Sequence, residues 1–260
     1  MPTKNSIIFG ASLCAAVALP GCSAASQASA PAPPAIVSHT ATPSTASAVA
    51  FTVAGVNPAA PNGSQDTHAQ TPHAACDAAM LAADKALGGE IVRGFALANF
   101  PASAYLLTHF LEGKGTEVDY RAGSPISRQA LASSAFRVVN NEVRQAILGQ
   151  LEAGRTRVRL SAAQLPTMAF ESKASDLYWG FRGTQGLTVT GSGRRENGRY
   201  VGTLSYVIRD SYGFPVSDTL DGFGPPMRYL QTACGAPQHA GGAHWFPDTI
   251  TVTVPFNQPA

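Results

Sequence analysis

Asp248-Thr249-Ile250-Thr251-Val252-Thr253-Val254-Pro255-Phe256, close to the end of the chain, alternates polar and apolar residues without a break. Side chains on an extended strand point to opposite faces in turn. This period of two therefore predicts a strand that buries Ile250, Val252, Val254 and Phe256 and wets its threonines. Working back from it, Leu187–Gly193 and Tyr200–Arg209 read as the arms of a hairpin. Asn197-Gly198 between them supplies residues that tolerate the positive φ of a tight turn. Arg155-Thr156-Arg157-Val158-Arg159-Leu160 alternates arginine with smaller side chains, which predicts a strand with one wet, basic face.

Upstream of Arg155 the period changes to that of a helix. Cys76–Leu87 is alanine-rich, and Ala102–Glu112 starts after Pro101 and stops at Gly113. Ser124-Pro125 is a helix start, with serine as N-cap and proline in the first turn. Asn141–Ala153 places Val143, Ile147 and Leu151 on one face and ends at Gly154. Helices first and strands afterwards predict a single α+β domain over residues 75–260, with N-terminal helices packed on a mostly antiparallel, twisted C-terminal sheet.

Residues 23–72 are rich in Ala, Ser, Thr and Pro and nearly uncharged. Such a composition buries too little apolar surface to offset its ordering entropy, so 22–74 is expected to be a disordered tether. Val49–Val56 is its one apolar patch, which would be either an added strand or solvated linker. At the start of the chain Lys4 precedes an apolar run from Ile7 to Leu19, the pattern of a secretory signal over residues 1–21. The run is too short to span a bilayer, which takes about 20 residues.

Leu19-Pro20-Gly21-Cys22 resembles the lipobox of bacterial lipoproteins, although Pro20 is less usual there than a small aliphatic residue. The resemblance implies cleavage before Cys22, acyl chains on that cysteine, and a protein held outside the cytoplasm on the cell membrane or the outer membrane. Ser23 is compatible with outer-membrane sorting. Cleavage near Ala28-Ser29-Ala30 is the alternative and gives the same compartment. Of the four cysteines, Cys14 would leave with the signal and Cys22 would carry lipid, so Cys76 and Cys234 remain. In an oxidising compartment the leftover pair is expected to form a disulfide, the alternative being two buried thiols.

The chain is close to neutral, yet Arg121–Asp210 holds 13 Lys/Arg against 6 Asp/Glu. A basic middle would attract an envelope protein, a wall polymer or anionic lipid, or would be a solvated sheet face. Nucleic acid is disfavoured by the address and by the absence of any recognisable binding motif. No phosphate-cradling loop, nucleophile elbow or zinc motif is present, and no cofactor is implied. Gly191-Ser192-Gly193 lies in the hairpin, where it would twist or bulge the strand.

Polar and aromatic residues gather at Asp210-Ser211-Tyr212-Gly213-Phe214 and around His239, His244, Trp245, Phe246 and Asp248. Asp210, Tyr212, His239, His244 and Asp248 are the candidate catalytic residues, as acid, base or ligands. The spacing of His239, His244 and Asp248 fits no metal pattern, so no metal is assigned. Asp210-x-Tyr212 resembles part of the Asp-x-Tyr-Asp motif of the colicin M family, which cleaves a lipid-linked wall precursor. Gly213 stands where the second aspartate belongs and no His-Arg pair follows, so no activity is carried over. His109 reads as a half-buried helix residue. The expected function is a lipid-anchored, noncatalytic binding module. The alternatives are an envelope-acting hydrolase, for which the five candidates must converge in one cleft, and an immunity-type inhibitor of a toxin.

Overall fold

The computed structural model describes residues 49–58, 76–214, 223–235 and 241–260. In chain order the elements are β1 (Ala50–Asn57), α1 (Ala78–Leu97), α2 (Pro101–Leu111), β2 (Val118–Tyr120), α3 (Pro125–Ala132) and α4 (Ser134–Glu152). Then come β3 (Arg157–Leu160), α5 (Asp176–Phe181), β4 (Gly186–Glu196), β5 (Arg199–Tyr212), α6 (Gly224–Thr232) and β6 (Phe246–Pro259).

The strands form one sheet in the order β2-β6-β5-β4-β1-β3. Its centre is antiparallel, because the β4–β5 hairpin and β6 run back and forth, whereas β3 joins β1 and β2 joins β6 in parallel. The domain is thus α+β as expected, but its sheet is mixed. Nor are the helices an N-terminal block: β1 precedes them all, and α5 and α6 lie between strands. Parallel neighbours are joined through crossovers, which carry no local sequence signature.

The apolar patch 49–56 becomes β1, between β3 and β4, so the sheet includes a strand from before residue 75. Phe51 and Val53 point into the core. The expected signal segment, Cys22 and most of the expected tether lie outside the described residues.

Every strand contributes alternate residues to one buried face. Phe51, Val53, Val158, Leu160, Leu187, Val189, Leu204, Tyr206, Ile208, Ile250, Val252, Val254 and Phe256 join the buried faces of the helices in a single cluster. Among the helices, α4 supplies Phe136, Val139, Val143, Ile147 and Leu151, spaced three or four apart so that they share a stripe. Ser124 and Ser133 cap α3 and α4 by accepting from Ser127 and Phe136 amides. The buried hydroxyls of Tyr206 and Tyr200 are satisfied by Asn140 Oδ1 at 2.9 Å and the Leu151 carbonyl at 3.2 Å.

Asn197 and Gly198, at φ 49° and 71°, form the two-residue turn between β4 and β5. Four residues before that turn, Gly193 faces Gly202 across the hairpin, and the Phe51 ring fills the dent they leave. A β-carbon at Gly193 would sit 2.5 Å from Phe51 Cζ. That ring then meets Tyr200 and Phe256 edge-on, at 6.0 and 5.8 Å. The Gly-Ser-Gly motif therefore makes room for an aromatic side chain.

Both sheet edges are guarded. On one side β2 is three residues long. On the other, the Gln150 side chain of α4 donates to the Arg159 carbonyl at 2.8 Å and accepts from its amide at 3.2 Å, occupying the free edge of β3. Cys76 and Cys234 are joined by a disulfide that ties the start of α1 to the end of α6, with Cα atoms 4.9 Å apart. Beside it the Asp77 amide donates to the Tyr229 hydroxyl at 2.7 Å, and the Asp77 carboxylate caps α1.

Candidate functional site

Asp210 near the end of β5 and Asp248 near the start of β6 are register partners. Directly opposed side chains on neighbouring strands hold their β-carbons about 5 Å apart. Both lie in line with core residues: Ile208 and Tyr212 flank Asp210, and Phe246 and Ile250 flank Asp248. Asp248 is 0% exposed, and among the described residues no other group hydrogen-bonds either carboxylate oxygen. Asp210 is half-buried and accepts one bond, from the Ser211 amide at 2.9 Å.

Burial pushes both carboxyls well above the usual aspartate range. For Asp248 the opposing Asp210 charge adds to burial, and Glu117 adds further. Two like charges in a dry sheet interior cannot both persist, so the pair retains a proton at pH values where an isolated aspartate has lost it. The same surroundings raise the Tyr120 phenol, through burial first and then the charges of Asp248 and Asp176.

Tyr212 and His244, the other candidates among the described residues, do not join this pair in one cleft. Tyr212 stacks on Phe246 at 5.5 Å and meets Phe214 and Phe110 edge-on, which places it in the aromatic core. His244 lies in the loop before β6, four residues from Asp248, a separation of about 13 Å along an extended chain. Its Nδ1–H donates to the Trp245 carbonyl at 2.6 Å, and Gly115 packs against the ring. His239 lies outside the described residues, as do Asp218 and Asp221. Among the described residues no three His, Cys, Asp or Glu side chains cluster in a way that could hold a metal ion. His109, on α2, is buried, with its Nε2–H donating to the Thr116 carbonyl at 2.9 Å and its ring 4.5 Å from Phe246.

One buried acid was not anticipated from the sequence. Asp176, at the start of α5, accepts from the Ala102 and Ser103 amides at 2.8 and 2.7 Å and from the Ser103 hydroxyl. Helix α2 begins at Phe100-Pro101 without a capping side chain of its own, so a residue 74 positions later supplies the cap. Above it opens a cleft of about 570 Å³ lined by Asn99, Gln129, Ser134, Phe170 and Ser172 among others. Its one deeply buried charge is the Asp176 carboxylate already engaged by α2, so the cleft presents mainly hydroxyl, amide and methyl groups.

No described element covers the opposite face of the sheet. Register places its side chains in rows: Arg157, Thr52, Ser192, Thr203 and Pro255; then Arg159, Ala54, Thr190, Ser205 and Thr253; then Val56, Thr188, Val207 and Thr251. Thr52, Ala54, Val56, Thr190, Ser192, Thr203 and Thr253 are exposed, and so are Arg157 and Arg159. The alternation that buried the core face leaves this one flat and hydroxylated, with arginines toward one edge. The basic character expected of Arg155–Leu160 is on this face.

No protein-family model matches the chain, and comparison with curated proteins and with solved structures gives no match either.

Proposed function

We propose that the chain is a lipid-anchored protein of the bacterial envelope, and that its folded domain is a noncatalytic binding module working through the bare face of the sheet. The observation that carries this reading is the one-sided architecture. Helices cover one face, whereas the other presents rows of threonine, serine and arginine that no described element covers. A flat surface of short hydroxylated side chains, edged by guanidinium groups, suits a broad polar contact better than the enclosure of a small substrate.

The scattering of the candidate catalytic residues argues the same way. Of the four among the described residues, only Asp210 and Asp248 are register partners, and Asp248 is sealed inside the sheet. Extracytoplasmic placement rests on the lipobox-like Leu19–Cys22 segment and agrees with the Cys76–Cys234 bridge.

The test places a photo-crosslinking amino acid at Thr190, on the bare face, and separately at Val138, which is exposed on α4. Irradiation of cells is expected to give adducts with envelope material from position 190 only. Equal labelling from both positions, or none from 190, would reject the bare face as the binding surface. Metabolic labelling with an alkyne fatty acid, lost on Cys22→Ser, tests the anchor separately.

A further inference from the structure

Apart from Arg209, which is half-buried and donates to the Thr188 hydroxyl, the arginines of the bare face are not spread evenly over it. Arg157 and Arg159 stand on β3, the edge strand, and Arg155 lies two residues before its start. Arg194 is the register partner of Ala50, the first residue of β1, and Arg199 follows the adjoining turn. All five are exposed and gather at one corner of the sheet, where β3, the start of β1 and the β4–β5 turn meet. The acids nearby are Glu196, ion-paired to Arg194 at 2.9 Å, and Glu152 at the end of α4. No carboxylate among the described residues pairs with Arg155, Arg157 or Arg159.

The chain enters the domain at this same corner. The Val49 carbonyl accepts from the Arg195 amide at 2.9 Å, and the Thr52 amide donates to the Thr156 carbonyl at 2.9 Å. The N-terminal segment thus leaves the fold among the arginines. Cys22 and Val49 are 27 positions apart, a span of at most about 95 Å when fully extended. If Cys22 carries lipid, the arginine corner is the part of the domain covalently nearest the membrane.

We infer that this corner docks the domain onto the anionic phospholipid surface to which its own lipid anchors it. The inference rests on the bare-face reading and names its partner. Guanidinium groups bind phosphate oxygens in a two-pronged geometry that ammonium groups do not match. Short Thr, Ser and Ala neighbours leave the arginine side chains standing above the sheet, where they can reach a plane. Docking and anchoring then reinforce each other, because the tether keeps the corner at high local concentration over the headgroups. Membrane attachment by an acyl chain with a basic patch follows the same two-signal logic.

The experiment uses the full chain carrying Cys22→Ser, so that no acyl group contributes, and vesicles of phosphatidylcholine with or without 30% phosphatidylglycerol. Co-sedimentation with the anionic vesicles is expected, with little on the neutral ones, and high salt should abolish it. Each arginine near an anionic surface contributes about five-fold in affinity, so Arg155→Glu/Arg157→Glu/Arg159→Glu should weaken binding more than a hundred-fold. Circular dichroism confirms that this variant is folded, and Arg121→Glu/Arg128→Glu/Arg137→Glu, exposed elsewhere, is the charge-matched control. Equal binding to both vesicle types, or equal loss in the control, would overturn the inference. So would stronger competition by soluble polyphosphate than by vesicles at equal phosphate, which would point to a polymer. Failure here with position 190 still crosslinking would discard the lipid partner and keep the binding face; failure of both would discard the face.

Discussion

Replacing Asp248 by asparagine keeps the volume of the side chain and removes its charge, and the consequence should appear in how stability depends on pH. The folded-state pKa values of Asp210 and Asp248 lie above the unfolded value of about 3.9. The folded protein therefore binds more protons than the unfolded chain between those limits. Stability is fully present below the unfolded pKa and is lost as pH rises through the folded pKa. One extra bound proton gives a slope of about 1.4 kcal/mol per pH unit. In a domain of this size that corresponds to roughly 3–6 °C of melting temperature per unit. The structure sets the direction, because burial and the opposing Asp210 charge outweigh the one lowering contribution at Asp248, from its own backbone amide. Melting curves at unit intervals from pH 4 to 9 should fall for the parent chain and be much flatter for Asp248→Asn, with the profiles crossing as pH rises. Parallel profiles, or parent stability that climbs with pH, would refute the reading of a protonated pair.

Four further outcomes follow from packing. Gly193→Ala should cost about 1–3 kcal/mol in urea denaturation, because the added methyl overlaps Phe51 and the Val201 carbonyl. Adding Phe51→Ala should recover part of that loss, a coupling that a double-mutant cycle reads directly. Removing the disulfide by Cys76→Ala/Cys234→Ala should cost about 2–5 kcal/mol, given that the cysteines are 158 positions apart. Asp176→Ala should cost about 1–2 kcal/mol by leaving the first amides of α2 unmet, with hydrogen exchange accelerated at Ala102 and Ser103. Gln150→Leu frees the edge of β3 and should raise the aggregation rate, measured by light scattering, more than it lowers the melting temperature.

Local pattern was enough wherever one element decided its own state. The alternation after Asp248, the Asn197-Gly198 turn and the Ser124-Pro125 start all correspond to β6, the hairpin turn and α3. The Arg155–Leu160 alternation likewise became β3. Residues 49–56 were ambiguous because eight residues set among alanines and prolines give weak periodicity, and their burial depends on β4, about 140 positions away. The parallel pairings of β1 with β3 and of β2 with β6 depend on crossovers, so an antiparallel sheet was the natural expectation. Helix α1 runs ten residues beyond its expected end at Leu87, and α4 starts seven residues earlier than expected, at Ser134.

The candidate site was legible only in its ingredients. Asp210 and Asp248 could each be singled out, yet their opposition is a matter of strand register, which neither residue encodes alone. Asp176 gave no signal because its partner is an uncapped helix 74 positions upstream. The basic face was visible in Arg155, Arg157 and Arg159. Its concentration at one corner required Arg194 and Arg199 to be brought alongside by the sheet order.

Strand β1 occupies an interior slot although it is the first described element to be synthesised. Whatever order the helices assemble in, the sheet stays split between β3 and β4 until that early segment is threaded between them. Nascent chain crossing a membrane in extended form would have to hold β1 in reserve while more than a hundred residues follow. Contacts so remote in sequence make for slow folding. A shortened gene starting at residue 75 would yield a protein with two raw strand borders facing an empty lane. Such a product should self-associate, and a synthetic peptide of residues 46–58 supplied in trans should rescue it.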